Sequence, residues 1–123
     1  MKAMQIVNFD GPASGLRYQE ASTPEPGPGQ IAVDVDHAGV GYVEALFTEG
    51  LVPIDLPWTP GLEVSGRVRA LGDGVDGYRL GDAVVPLTIT GGGGYGQVAL
   101  APAELVVPLP PRPARARLFL INY

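Results

Sequence analysis

The 123-residue sequence contains no cysteine and a single histidine, His37. The first absence excludes disulfide bonds and every zinc site built on thiolates, and one imidazole does not hold a metal alone. No stretch approaches the roughly 18 apolar residues of a membrane-spanning helix, and the N-terminal MKAMQIVNFDG lacks the apolar core of a signal peptide. We therefore expect a cytoplasmic protein with no bound metal and no membrane partner.

Positive charge is scarce, with 8 Lys and Arg against 13 Asp and Glu and a net charge of −5. Arg112, Arg115 and Arg117 lie in the last twelve residues, so 13 acidic groups face only 5 basic ones in residues 1–111. A surface of this sign repels a phosphate backbone. We expect no nucleic-acid partner.

Glycine and proline are abundant, with 18 and 13 copies, and they separate short apolar runs. That punctuation is typical of many short strands joined by sharp turns. Alternation of apolar and polar residues predicts strands at 4–9, 16–21, 31–35, 64–71, 83–90 and 97–107, the first two paired with each other. One helical turn is predicted over 43–48. The pattern favours a mainly β fold, either a small barrel or a sandwich.

The last thirteen residues, 111–123, differ from the rest in being rich in proline and arginine and ending in an apolar run, Leu118 to Ile121. Three interpretations stay open for this tail. It packs into the protein's own core, it contacts a neighbouring subunit, or it is the residue of a truncated or frame-shifted reading frame.

Five stretches carry a resemblance that covers residues 1–110 in order: 24–30 (PEPGPGQ), 38–40 (AGV), 60–66 (PGLEVSG), 72–82 (GDGV to GD) and 92–96 (GGGYG). Together they resemble the GroES-like N-terminal domain of the medium-chain dehydrogenase/reductase superfamily, nearest its zinc-free quinone oxidoreductase branch. The resemblance implies a partly open β-barrel with one or two short helices. In full-length relatives a nucleotide-binding domain follows, and this sequence stops at Tyr123 before one is formed.

Two positions of the resemblance bear on cofactors. Zinc-dependent relatives place Cys where this chain has Gly41 and His where it has Leu62, so the resemblance implies no catalytic zinc. Zinc-free relatives usually place Asn at the Gly41 position, which helps to hold the nicotinamide, and Asp at the Glu44 position. We expect no cofactor to be bound by this chain alone, and NADPH only if a partner domain supplies the site.

The glycine tract that ends at Gly96 formally satisfies the dinucleotide fingerprint G-x-G-x-x-G. The fingerprint works by placing a pyrophosphate at a helix N-terminus, whereas the residues after Gly96 predict a strand. We interpret the tract as a flexible hairpin connection, or alternatively as a mobile flap over a pocket.

Four side chains are candidates for acid–base catalysis because the resemblance places them near the substrate cleft: His37, Tyr42, Glu44 and Glu63. Each also has a structural interpretation. Glu44 is then a surface acid, and Glu63 fixes a backbone amide or pairs with Arg67 or Arg69. Three aromatic residues are candidates for lining a pocket for a flat or polycyclic ligand, or else for ordinary core: Phe47, Trp58 and Tyr95.

Three functions remain open from the sequence. The first is a reductase half that acts on a small carbonyl compound such as an enone or quinone with nucleotide from a partner domain. The second is a cofactor-free cyclase, isomerase or hydratase that uses the old substrate cleft. The third is a binding or scaffold module without chemistry. In each case an orphaned apolar surface predicts a homodimer or higher homo-oligomer, because such patches are normally covered.

Overall fold

The computed structural model of the chain describes residues 1–110, and the whole tail 111–123, with its apolar end, lies outside them. The chain begins with a hairpin formed by β1 (Lys2–Ile6) and β2 (Leu16–Glu20). These strands pair antiparallel from Lys2 opposite Glu20 to Ile6 opposite Leu16, which confirms the predicted pairing. A single helical turn, α1 (Pro12–Gly15), joins them and begins at a proline, where a missing amide costs nothing.

The second sheet is antiparallel and contains the remaining five strands of the described chain: β3 (Gln30–Ala38), β4 (Val64–Leu71), β5 (Ala83–Pro86), β6 (Val98–Pro102) and β7 (Val106–Pro108). Their order is β6-β3-β4-β5-β7. The inward face of this sheet forms the core cluster, which consists of Ile31, Val33, Val68, Val84, Ala101 and Val106. Arg67 and Arg69 alternate outward on β4, as its sequence pattern predicts.

Two predicted strands are shorter in the structure than in the sequence pattern. The prediction of one strand over 97–107 is wrong, because a 3₁₀ turn at Ala103–Leu105 separates β6 from β7. Pro102 ends β6 since it has no amide hydrogen to continue a ladder. The strand predicted over 83–90 ends at Pro86, and Leu87 then makes only an isolated bridge to Glu63.

The helical turn predicted over 43–48 is confirmed as α2 (Tyr42–Phe47). It follows β3 and ends before Gly50, whose φ of 77° suits glycine. Across residues 1–110 the structure is thus two sheets with short helices and no closed barrel, which confirms the partly open GroES-like fold. No helix in this part of the chain has the length and apolar character needed to cross a membrane.

Candidate active site

A cavity of about 150 Å³ lies where α2, the first hairpin turn and the segment after the glycine tract meet. We call it the Glu44 cavity. Its polar members are Glu44, Thr48 and Tyr95, and the backbone of Gly41 forms part of its wall. The other lining residues are apolar, namely Pro12, Leu16, Val40, Ala45 and Pro60. Val40 and Gly41 are exposed, so the cavity is reached from the surface.

Glu44 is buried, with 7% of its surface exposed, so its interpretation as a surface acid is wrong. Its Oε2 accepts a hydrogen bond of 3.0 Å from the backbone N–H of Gly41, the residue that precedes α2. This bond satisfies one of the amides left free at a helix start. The Oε1 oxygen has no hydrogen-bond partner within residues 1–110, and since no fully buried side-chain oxygen of these residues is unpartnered, solvent reaches it.

Glycine at position 41 permits this arrangement. A Cβ atom there would lie 2.9 Å from Glu44 Oε2, closer than such contacts occur. The backbone of Gly41 is extended, with φ −117°, so glycine is not required by conformation. The absence of a side chain at position 41 therefore leaves space for the carboxylate rather than relieving backbone strain.

Tyr95 faces the same cavity, and burial followed by the nearby charge of Glu44 raises the pKa of its hydroxyl to about 12. Both effects disfavour the phenolate, so the hydroxyl keeps its proton and remains a hydrogen-bond donor at any physiological pH. Its oxygen makes no hydrogen bond within the described chain. Tyr95 and Glu44 are thus the two predicted site residues that the fold brings together.

The glycine tract before Tyr95 is hydrogen-bonded to neighbouring segments, and its interpretation as a flexible connection or mobile flap stays a prediction. The N–H groups of Gly92, Gly93 and Gly94 donate to the carbonyls of Thr88, Thr59 and Gly61 at 2.8, 2.8 and 3.1 Å, and the N–H of Tyr95 donates to the carbonyl of Pro60 at 2.9 Å. Close approach explains the glycines, since a Cβ on Gly92 would lie 2.5 Å from the Trp58 ring.

The same hydrogen bonds show whether the G-x-G-x-x-G tract can bind a dinucleotide. The amide hydrogens of Gly92, Gly93 and Gly94 are already used by carbonyl oxygens, and β6 rather than a helix follows. A pyrophosphate needs free amides at a helix N-terminus. The tract therefore does not fit a dinucleotide.

The other three acid–base candidates lie away from the Glu44 cavity. His37 is exposed on β3 opposite Ser65, and Tyr42 is 78% exposed at the first residue of α2. Neither forms a side-chain hydrogen bond within the described chain. Glu63 is half-buried, and its side chain lies flat against Gly39, where a Cβ would be 2.5 Å from Glu63 Oε1.

The pairing of Glu63 with an arginine is wrong. Arg67 donates to the carbonyl of Gly81 at 3.1 Å, and Arg69 forms an ion pair of 2.9 Å with Asp34. Both arginines point outward from β4, whereas Glu63 lies just before the first residue of that strand. Glu63 instead contributes its backbone carbonyl, which accepts from the N–H of Gly39 at 3.0 Å.

Phe47 and Trp58 pack against each other rather than against Tyr95, with ring centroids 4.8 Å apart and planes tilted by 41°. Trp58 also borders a second, larger concavity of about 650 Å³, which we call the Trp58 groove. Its lining includes residues 98–100 of β6 together with residues 19–22, 57–59 and 90–93. The three aromatic candidates therefore do not form one pocket.

No metal site fits the described residues. Gly41 and Leu62, the two positions that bear on zinc, carry no ligand atoms. Throughout residues 1–110 no group of three or more His, Asp or Glu side chains lies close enough to hold a metal ion. A zinc ion with protein ligands needs three or four such groups.

The family follows from comparison with known proteins. The alcohol dehydrogenase GroES-like domain model matches residues 27–111. The chain belongs to this family. Quinone oxidoreductase of Sus scrofa is 34% identical over 113 residues, which cover 89% of this chain and 34% of the relative.

Solved structures agree with this membership. The human synaptic vesicle membrane protein VAT-1 homolog-like protein superposes with a TM-score of 0.85 at 32% identity, covering 91% of this chain and 35% of that one. Escherichia coli quinone oxidoreductase, solved in complex with NADPH, gives 0.81 at 27% identity, covering 89% and 33%. This GroES-like domain thus spans about a third of the length of the relatives it matches, with shares that range from 26% to 37%.

Proposed function

We propose that this GroES-like domain is the substrate half of a zinc-independent, quinone oxidoreductase-like enzyme, and that it binds a small flat carbonyl compound in the Glu44 cavity. One observation carries the proposal: a buried carboxylate and a neutral phenol share an apolar cavity of about 150 Å³. An engineered protein cavity of about 150 Å³ binds benzene. The proposed ligand is therefore a single six-membered ring, smaller than the polycyclic compounds that the sequence left open.

Tyr95 and Glu44 have different roles in this proposal. The Tyr95 hydroxyl donates a hydrogen bond to the carbonyl oxygen and stabilises negative charge that develops there. Its pKa, raised to about 12, keeps it protonated even in alkaline solution. Glu44 is held by the Gly41 amide, and its second oxygen remains as a base or hydrogen-bond acceptor. The apolar wall excludes water, which strengthens both interactions.

Reducing power would come from a nicotinamide nucleotide held by another domain, because the described residues do not fit one. The E. coli relative solved with NADPH supports this part of the proposal. Exposed apolar side chains offer contacts to such a domain: Val40 is 80% exposed and lines the Glu44 cavity, and Tyr42, Leu87 and Ile89 are exposed at 78%, 39% and 56%.

A chimera tests the reductase role. Residues 1–110 replace the matching part of the porcine quinone oxidoreductase, and oxidation of NADPH by 1,4-benzoquinone is followed by absorbance. We expect turnover that falls at least tenfold in Tyr95→Phe, with a normal rate in the control Tyr42→Phe, which leaves the exposed tyrosine without its hydroxyl. A chimera that folds and binds NADPH but gives no turnover would contradict the proposal.

A second function is favoured by the free oxygen of Glu44. In a cofactor-free reaction, Glu44 removes a proton from the carbon next to the carbonyl, the C–H electron pair moves into an enolate, and the Tyr95 hydroxyl hydrogen-bonds the enolate oxygen. Return of the proton to the same or a conjugated carbon completes exchange or isomerisation, with no net oxidation. General base catalysis of this kind contributes roughly 10²–10⁴-fold.

Deuterium exchange into cyclohex-2-enone, followed by proton NMR on the isolated chain, separates the two functions. Exchange that Glu44→Gln abolishes supports the acid–base enzyme, because Gln retains an oxygen for the Gly41 amide but cannot take the proton. Exchange at the buffer rate removes this function and leaves the chimera assay to decide the first one. Neither activity, with binding retained, would indicate the non-catalytic module.

Homo-oligomer formation is the remaining part of the proposal. If no other domain covers Val40, Tyr42, Leu87 and Ile89, a second copy of the chain is expected to do so. Sedimentation velocity at micromolar concentration should then give a dimer or larger species. A monomer would contradict this part alone.

A further inference from the structure

β6 has a free edge, and its residues 98–100 line the Trp58 groove. β6 is the first strand in the order β6-β3-β4-β5-β7, so only its β3 side is paired within that sheet. Just before β6 begins, the chain pairs with β1. Ala3 forms a bridge with Gly96, and the carbonyl of Lys2 accepts a hydrogen bond from the N–H of Gln97. Past that point the groove, rather than another strand of the described chain, borders the edge.

In an antiparallel ladder the backbone N–H and C=O groups of successive residues point alternately toward the paired strand and away from it. This alternation gives the direction of these groups along β6. The N–H of Val35 donates to the carbonyl of Gln97 at 2.9 Å, and the N–H of Ala103 donates to the carbonyl of Gly29 at 2.9 Å. Since hydrogen-bonded pairs recur at every second residue, Ala99 and Ala101 also face β3. Val98 and Leu100 therefore face away from β3.

Two observations agree with this assignment. The N–H of Val98 donates to Met1 Sδ at 3.3 Å, outside the β3 ladder. Pro102 lies two residues after Leu100 and therefore also faces away from β3. As a proline it has no N–H, which is expected at a sheet edge. Leu100 is left with an N–H and a C=O that have no hydrogen-bond partner within residues 1–110, and it lines the Trp58 groove.

The lining of the groove suits a chain with amides and one apolar side chain. Gln19 donates to Gln5 at 2.8 Å and Gln5 donates to Thr59 at 3.2 Å, so neutral polar groups connect the segments that hold Gln19 and Trp58. Glu20 also lines the groove, and it pairs with Lys2 and the N-terminal ammonium group. Trp58 supplies an aromatic surface, and Gly91 has open space where a side chain would go. A volume of about 650 Å³ lies in the range of ligand-binding clefts.

We propose that the Trp58 groove binds a short extended peptide by adding it to the β6 edge, with one peptide residue exchanging both backbone hydrogen bonds with Leu100. Strand addition of this type gives affinity through the main chain and specificity through alternate side chains. One apolar side chain of the peptide packs on Trp58. Basic flanking residues are favoured by the net charge of −5.

The probe is the capped pentapeptide acetyl-KVLVK-amide, titrated into the full chain labelled with ¹⁵N. Trp58 is the single tryptophan, so its emission reports occupancy of the groove directly. We expect the emission to change, the Leu100 amide to shift, and its exchange with solvent to slow at least tenfold. The same peptide carrying an N-methyl group on its central leucine should bind at least tenfold more weakly, because it cannot donate to the Leu100 carbonyl.

A matched pair of protein variants completes the test. Gly91 has open space where a side chain would go and no positive φ, so Gly91→Phe should fold, fill the groove and abolish binding. Leu80→Ala, at an exposed position outside the groove lining, should bind as the parent does. Equal binding of the N-methyl peptide, no binding at millimolar peptide, or shifts at the β7 edge instead of Leu100 would each overturn the proposal. The peptide comparison keeps the test decisive if Gly91→Phe does not fold.

Discussion

The Glu44 cavity and the Trp58 groove differ in both size and chemistry. The cavity is about 150 Å³, largely apolar, and holds one buried carboxylate beside one tyrosine. The groove is about 650 Å³ and is lined by side-chain amides, glycine backbone and one indole. A charged group buried at an apolar wall can move protons or polarise a bond, whereas the charged Glu20 of the groove is 69% exposed and paired with Lys2. This difference is why we propose the smaller concavity as the catalytic one.

The two regions are separated by one rigid contact. The glycine tract packs on residues 58–61, with Trp58 on its groove side and Tyr95 on its cavity side. Thr88, fully buried, donates to the carbonyl of Gly61 at 2.6 Å and anchors the same segment. A change in this contact should therefore affect both regions, whereas a change within either region should leave the other intact.

The largest expected effect comes from Gly61→Ala. Gly61 has φ 105°, and a Cβ there would lie 2.6 Å from the Cα of Gly94, so both conformation and backbone crowding oppose a side chain. We expect a loss of at least about 2 kcal/mol of unfolding free energy in urea denaturation. The control Gly91→Ala, with neither feature, should change stability by less than about 0.5 kcal/mol. Equal losses in the two variants would contradict the rigid contact.

Glu44→Ala should have the next largest effect on stability. It removes the acceptor for the Gly41 amide at the start of α2, and we expect a loss of about 1 kcal/mol by the same denaturation measurement. Glu44→Gln should keep most of that stability while losing proton exchange into the enone. A Gln variant as destabilised as the Ala variant would show that the charge, rather than the hydrogen bond, holds the helix start.

The raised pKa of Tyr95 predicts that the free energy of unfolding depends on this residue's protonation only in alkaline solution. Its pKa is raised from 10.0 to about 12 in the folded chain, so the folded state keeps a proton that the unfolded state loses. The stabilisation is fully present below pH 10 and is lost as the pH rises through about 12. In Tyr95→Phe the stability curve should flatten between these values, and the titration step near pH 12 at 295 nm should disappear. An unchanged step would contradict the assignment.

Gly41→Ala should give the smallest effect and the most local one. A Cβ would come within 2.9 Å of Glu44 Oε2, and the carboxylate can swing away because it is the end of a flexible side chain. We expect a stability change below about 1 kcal/mol and amide shifts in α2 but not in the Trp58 groove. Shifts that extend to Trp58 would contradict the independence of the two regions.

Much of the fold was predictable because local patterns set it. The alternation in Val64–Leu71 gave β4 at its observed bounds, and the Ala- and Leu-rich segment after Gly41 gave α2 to within one residue. The break at Pro102 also had a sequence signal, the missing amide, which outweighs the apolar run on either side. The pairing of β1 with β2 followed from two short runs separated by a turn.

The candidate site was predictable only in part. The spacing Gly41-x-x-Glu44 is that of a capping interaction, and this signal could have indicated a buried, hydrogen-bonded Glu44. The close packing of the glycine tract was not predicted, because sequence does not distinguish glycine that permits motion from glycine that permits close packing. The Trp58 groove gave no signal, since its lining comes from several segments distant in sequence. Phe47, Trp58 and Tyr95 were grouped by residue type, and tertiary packing separates them.

The central claim is that the Glu44 cavity binds a single-ring carbonyl compound through Tyr95. The most direct measurement is a titration of cyclohex-2-enone into the ¹⁵N-labelled chain, followed by amide shifts, with Tyr95→Phe and the bicyclic 2-tetralone as comparisons. The account predicts shifts at Gly41, Ala45 and Tyr95, affinity about tenfold lower without the hydroxyl, and no binding of the bicyclic ketone. Shifts confined to the Trp58 groove, or none at millimolar enone, would contradict it.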